Sequence, residues 1–232
     1  TFIPYIYSLP AGTAPASGWP VAIFGHGLGR WRYDMIAIAN TLATFGIATI
    51  AVDHPWHGIR SNAVLGAETD DQGASCTQAL AGRVGARTEP ATSPPVLCSD
   101  PSGTFTPAGD GGTAACSAGT PVASGQRMFN PANLFATRDN FRQAALDQMQ
   151  LVRTLKTATT AGGAPTFDTT KIFYVGQSLG GMIGGIFTAV EPDVRVSVLN
   201  VPGGGLANLI EQTKTLEICK PVFDGLAQLG IC

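Results

Sequence analysis

Apolar residues along this chain follow two different periods. Val21–Phe24 and Ile47–Val52 are short, nearly unbroken runs of apolar and β-branched residues, the pattern of strands buried on both faces. Ile172–Val175 and Val194–Leu199 read as two more strands, and Phe2–Leu9, which alternates and is rich in β-formers, as another. Between these runs the spacing changes to three and four. Met35, Ile38, Ala39, Leu42 and Phe45 mark an amphipathic helix, with Gly46 as its stop. Phe141, Ala145, Met149, Val152 and Leu155 mark a second helix. Thr137 is its candidate N-cap, and Gly162, Gly163 and Pro165 end it. Small residues after Gly180 allow a third helix to about Val190, and Leu206–Lys214 reads as a short fourth.

Buried strands that alternate with helices predict an α/β fold: a mostly parallel sheet with helices on both faces. Ligand sites in such sheets lie at the carboxyl ends of the strands. Residues from about 61 to 136 keep neither period and read as an irregular insertion, and loops of that size tend to be functional.

Three motifs follow predicted strands. The most specific is Gly176-Gln177-Ser178-Leu179-Gly180-Gly181. A tight strand–turn–helix would hold the serine in a strained conformation and project its side chain above the sheet. Glycines on either side remove side chains that would collide in so sharp a turn. The helix start then aims backbone N–H groups and positive partial charge at a developing oxyanion. Ser178 is the candidate nucleophile, and Gln177 is placed in the substrate pocket beside it. The second motif, Phe24-Gly25-His26-Gly27-Leu28-Gly29, stands where an oxyanion hole needs its other donor. The N–H groups of Leu28 and Leu179 are the candidate pair. His26 and Gly27 are assigned to the pocket, with His26 read as structural rather than as a base. The third motif runs from Asp53 through His54, Pro55, Trp56, His57 and Gly58 to Ser61. Trp56 is a candidate apolar wall, while Asp53 and His57 are read as satisfying local backbone groups.

Composition narrows the setting. Charged residues make up 13% of the 232, against a usual value of roughly 25%, and the chain holds 29 Gly and 16 Pro, which suggests a loop-rich, secreted or periplasmic protein. A net charge of −2 gives no electrostatic reason to expect nucleic acid. Cys76, Cys98, Cys116, Cys219 and Cys232 form no CxxC pair, so no metal site is expected, and disulfides in an oxidising compartment are. The odd count leaves one cysteine over. No apolar run reaches 18 residues, so stable membrane insertion is not expected. The start at Thr1 reads as a processed product, with a signal peptide removed upstream.

Together the three motifs, over roughly Val21 to Leu199, resemble the α/β-hydrolase superfamily. The run "GWPVAIFGHGLGR…DHPWHGIRS…GQSLGG" is similar to bacterial extracellular lipases and carboxylesterases, some of whose relatives cleave polyesters. The resemblance implies a Ser–His–Asp/Glu triad, an acyl-enzyme, no cofactor and no metal, and a small-molecule or polymeric ester as substrate. One feature departs from it. The family order is serine, acid, histidine. Here His26, His54 and His57 all precede Ser178. Three explanations are weighed. The preferred one is that acid, base and last strands lie beyond residue 232, in a remaining C-terminal segment of the same protein, with a lid or cap beginning at about 203. Alternatively His57 or His26 serves as base. Or the serine is inert and the domain is a non-catalytic binding module. A thioesterase or peptidase of the same fold is the rival within the enzyme class.

Overall fold

The structure, a computed structural model, describes residues 3, 5–60, 96–99, 105–108, 120–122, 124, 125, 127–130, 133–157 and 167–205. In chain order these residues form β1 (Tyr5–Ser8), β2 (Trp19–Gly25), α1 (Ile36–Thr44), β3 (Ala48–Val52), β4 (Val96–Ser99), β5 (Phe105–Ala108), β6 (Thr120–Val122), α2 (Leu134–Thr157), β7 (Phe167–Gln177), α3 (Leu179–Val190) and β8 (Val194–Asn200). One sheet has the order β1-β3-β2-β7-β8. Its first strand is antiparallel to β3 and all other pairs are parallel.

Strand alternation sends alternate residues to opposite faces. Val21, Ile23, Ile50, Ile172 and Tyr174 meet Ala145, Leu151, Val152 and Leu155 of α2 and Phe187 of α3. Phe24, Ala51 and Val175 point the other way and pack with Met35 and with Ile38 of α1. Helices therefore cover both faces, and the mostly parallel α/β architecture is the one expected. Each large side chain buried in these layers contributes about 1.5–3 kcal/mol.

Helix ends follow local chemistry. Gly46 takes φ +72°, its N–H reaches the Ala43 carbonyl, and the Ile47 N–H reaches that of Leu42. This is a Schellman stop, and it fits the predicted role of Gly46. Phe45 forms the C-cap outside the helix and is 75% exposed, so it does not continue the buried stripe of α1. Thr137 is not the cap of α2. Asn133 takes that place, its Oδ1 accepting the Ala136 N–H at 3.0 Å. Thr137 lies within the helix, and its hydroxyl holds the backbone of Asn130 instead.

Two further findings were not anticipated from the sequence. Within the stretch read as irregular, β4 pairs antiparallel with both β5 and β6 in a separate three-stranded sheet. The other is the edge strand β8, whose Val196 and Val198 are more than half exposed although the run looks like a buried strand. α1 packs on β1 and β3 at the far side of the sheet, and among the described residues nothing covers this end of that face. The predicted helix Leu206–Lys214, most of the proposed lid region 203–232 and the cysteine side chains lie outside the described residues.

Candidate active site

All three motifs emerge at the carboxyl edge of the parallel strands. Gly25 at the end of β2 is in register with Gly176 near the end of β7, and Gln177 with Asn200 at the end of β8. Between β7 and α3 the backbone reverses at Ser178, which takes φ 52° and ψ −113°. A non-glycine residue there is strained, and such strain persists only where the surroundings enforce it. Here they do. The Ser178 N–H donates to the Asn200 carbonyl at 2.9 Å, and its carbonyl accepts the Met182 N–H at 3.1 Å to start the helix. The result is a strand–turn–helix elbow at the carboxyl edge of a mostly parallel sheet covered by helices on both faces.

Close packing explains the glycines of this elbow. A Cβ on Gly176 would collide with the carbonyl of Gly180, and one on Gly180 with the carbonyl of Gly25. Tyr174 fills the space beneath. Its Oη donates to the Gly180 carbonyl at 2.7 Å and leaves no room for a side chain on Gly25. Burial pushes its phenol well above the ordinary value, so it stays protonated.

The structure brings several predicted site residues together. A Cβ placed on Gly27 would stand 3.7 Å from Ser178 Cβ and 3.8 Å from the Gln177 carbonyl. Leu179 is buried at the first turn of α3, with Leu28 packed against the same cluster of Met128, Phe141, Ala144 and Ile183. Ser178 and Gln177 are both exposed. The turn that carries Leu28 closes through the Arg30 N–H to the Gly27 carbonyl at 3.2 Å.

His26 is placed differently. It is fully buried and ties two loops together, Nδ1 donating to the Gly27 carbonyl at 2.9 Å and Nε2 accepting the His54 N–H at 3.0 Å. His54 and His57 lie against it, with ring centroids 4.3 and 5.0 Å away. The Nδ1 of His57 donates to the Pro55 carbonyl at 2.8 Å. Burial lowers the pKa of His26 to about 3 and that of His57 to about 4, and drives that of His54 well below its usual value. All three are neutral at pH 7. Among the described residues no side chain is hydrogen-bonded to the Ser178 hydroxyl, and no group of three or more His, Cys, Asp or Glu residues is arranged to hold a metal.

Trp56 also takes a strained backbone, with φ 63°. Its indole N–H donates to Asn140 Oδ1 at 2.9 Å, and the Asn140 amide donates in turn to the carbonyls of Arg127 and Met128. Arg127 covers the ring, 5.7 Å from its centroid. Asp53 has a partner more distant in sequence than the reading supposed, the buried Arg32. Arg60 links the Asp53 carbonyl to Asp147 of α2. Sequence reading missed Arg32, Asn140 and Ser124. None sits in a motif, and only three-dimensional proximity gives them roles.

No family model matches the chain, and no curated protein matches it by sequence. Among solved structures it is similar to Est1E of Butyrivibrio proteoclasticus with bound ferulic acid, at 14% identity and TM-score 0.47, over 93% of this chain and 55% of that one. An acetyl xylan esterase of a Paenibacillus species matches at 15% identity and TM-score 0.43, over 97% and 58%. A ferulic acid esterase of Streptomyces cinnamoneus matches at 17% and 0.40, over 78% and 35%. The chain thus spans little more than half the length of the first two. No helix among the described residues is long and apolar enough to cross a membrane.

Proposed function

We propose that this protein is a serine carboxylic-ester hydrolase with Ser178 as its nucleophile, acting through an acyl-enzyme. The observation that carries the reading is the strained, exposed Ser178 at the carboxyl end of a central strand, with a helix starting immediately after it. In the first step Oγ bonds to the ester carbonyl carbon and its proton passes to a general base. The carbonyl oxygen becomes an oxyanion held by the N–H groups of Leu28 and Leu179, near the positive end of α3. Collapse expels the alcohol, which takes that proton. Water then repeats the sequence and releases the acid.

The base is a group other than His26, His54 or His57. Their burial, their lowered basicity and the hydrogen bonds of His26 and His57 argue against a part in proton transfer. Partly buried Leu28, Phe129 and Met182 favour an apolar acyl group, polymeric esters included. The low charge and the five cysteines favour a secreted or periplasmic setting.

The test is hydrolysis of a short-chain ester by the full-length protein and its Ser178→Ala variant, alongside a thioester and an anilide of the same acid. Ester preference with loss of turnover in the variant is expected. Undiminished hydrolysis by the variant would remove Ser178 from the mechanism, and preference for the anilide or thioester would move the protein to a peptidase or thioesterase.

A further inference from the structure

Ser124 and Gly125 lie far in sequence from every motif above, yet they fill the gap between two loops of the site. Ser124 Oγ donates to the Arg30 carbonyl at 2.8 Å and accepts the Gly58 N–H at 2.9 Å. The Gly125 N–H donates to the Trp56 carbonyl at 2.6 Å. Gly125 takes φ +76°, and a Cβ there would stand 2.6 Å from His57 Nε2 and 2.9 Å from the Gly29 nitrogen. Both residues are buried. One hydroxyl therefore serves a loop after β2 and a loop after β3, with a glycine beside it fitted too closely to admit any side chain.

The loop after β2 is the turn Gly27–Arg30. At its start Gly27 stands against Ser178, and at its end the Arg30 carbonyl is bound by Ser124. Leu28 lies between these two fixed points. Its own closing hydrogen bond, at 3.2 Å, is at the long end of the normal range. The outer anchor of the turn is thus a side chain more than 90 residues away. Without that hydroxyl the bridge from the Arg30 carbonyl to the buried Gly58 N–H is broken, and the two loops lose the side chain that ties them together.

We propose that Ser124 is a positioning residue that holds the Leu28 N–H where the oxyanion forms. The inference rests on the proposed role of Ser178. Oxyanion donors act over about 2.7–3.1 Å, and a misplacement of about 1 Å costs on the order of 10²-fold in rate. Ser124 touches no reacting atom, and its effect passes through the turn.

The experiment compares full-length protein with its Ser124→Ala, Ser124→Thr and Ser124→Val variants in ester hydrolysis and in inhibition by an alkylboronic acid. The boronate adduct on Ser178 places an oxygen in the oxyanion position. For Ser124→Ala we expect kcat to fall about 10- to 100-fold, KM to stay near that of the parent, and boronate affinity to fall by the same factor as kcat. Thr and Val have nearly the same shape, so the Thr variant should keep activity and the Val variant lose it. That pair decides the matter should Ser124→Ala fail to fold. Full kcat in Ser124→Ala, an unchanged boronate affinity beside a lowered kcat, or equal activity of the Thr and Val variants would overturn the proposal. A Ser178→Ala control separates the two levels. If it is inactive while Ser124→Ala is fully active, only the role of Ser124 fails. If it is active, the reading of Ser178 fails first.

Discussion

Arg32 and Asp53 form an ion pair at 2.5 Å with both side chains almost completely buried. The Asp53 carboxylate also accepts the Arg32 backbone N–H at 2.7 Å. The pair joins the segment after β2 to the segment after β3, the two that carry Leu28 and Trp56. Gly58 closes over the same carboxylate, where any side chain would collide with it.

Removing one partner of a buried ion pair leaves the other charge without compensation, at a cost of about 3–5 kcal/mol. Asp53→Asn should therefore lower the free energy of unfolding by that order, measured by urea denaturation. A loss comparable to that of an exposed ion pair, about 0–1 kcal/mol, would show that the pair does not organise these loops.

The elbow makes a graded prediction. Tyr174→Phe removes one buried hydrogen bond to the Gly180 carbonyl, which keeps its helical partner, and should cost about 0.5–1.5 kcal/mol. Gly180→Ala pushes a methyl group into the backbone of Gly25 and should cost more, to the point of preventing folding. Thermal unfolding of both variants tests the order. Gly180→Ala proving the milder change would contradict the packing described here.

Stability should depend on pH through the three histidines. In the native state their pKa values lie below the usual 6.5, at about 3 for His26 and about 4 for His57. The unfolded chain therefore binds more protons than the native one between these values and 6.5, and stability falls as pH drops through that window. It is fully present above about pH 6.5. Urea unfolding at about pH 7, 6 and 5 should show a decline that steepens toward about 1.4 kcal/mol per pH unit for each histidine titrating only in the unfolded state. A flat profile would mean that the imidazoles are not held neutral.

Much of the scaffold was legible in the sequence, because its signals are local. Unbroken runs such as Val21–Phe24 have no stable place except inside a sheet, and Gly176 and Gly180 around Ser178 announce a turn in which a side chain would collide. The rest was not legible, because its causes are distant in sequence. The exposure of Val196 and Val198 depends on which helix reaches the end of the sheet. Asn133 and Thr137 are both plausible caps until the start of the helix is fixed. Asp53 was read as serving local backbone, but its partner is 21 residues away. Trp56 depends on Asn140, and the Leu28 turn on Ser124, through bonds that span 84 and 94 residues. No periodicity records such contacts.

The central claim is that Ser178 is an activated nucleophile. The most direct measurement is to treat the full-length protein with a fluorophosphonate and locate the adduct by peptide mass spectrometry. The account predicts one stoichiometric adduct on Ser178 and none in Ser178→Ala, together with a fall in ester turnover of at least about 10³-fold in that variant. An unlabelled Ser178 in a protein that still hydrolyses the ester, or an adduct on another residue with turnover retained in Ser178→Ala, would contradict it.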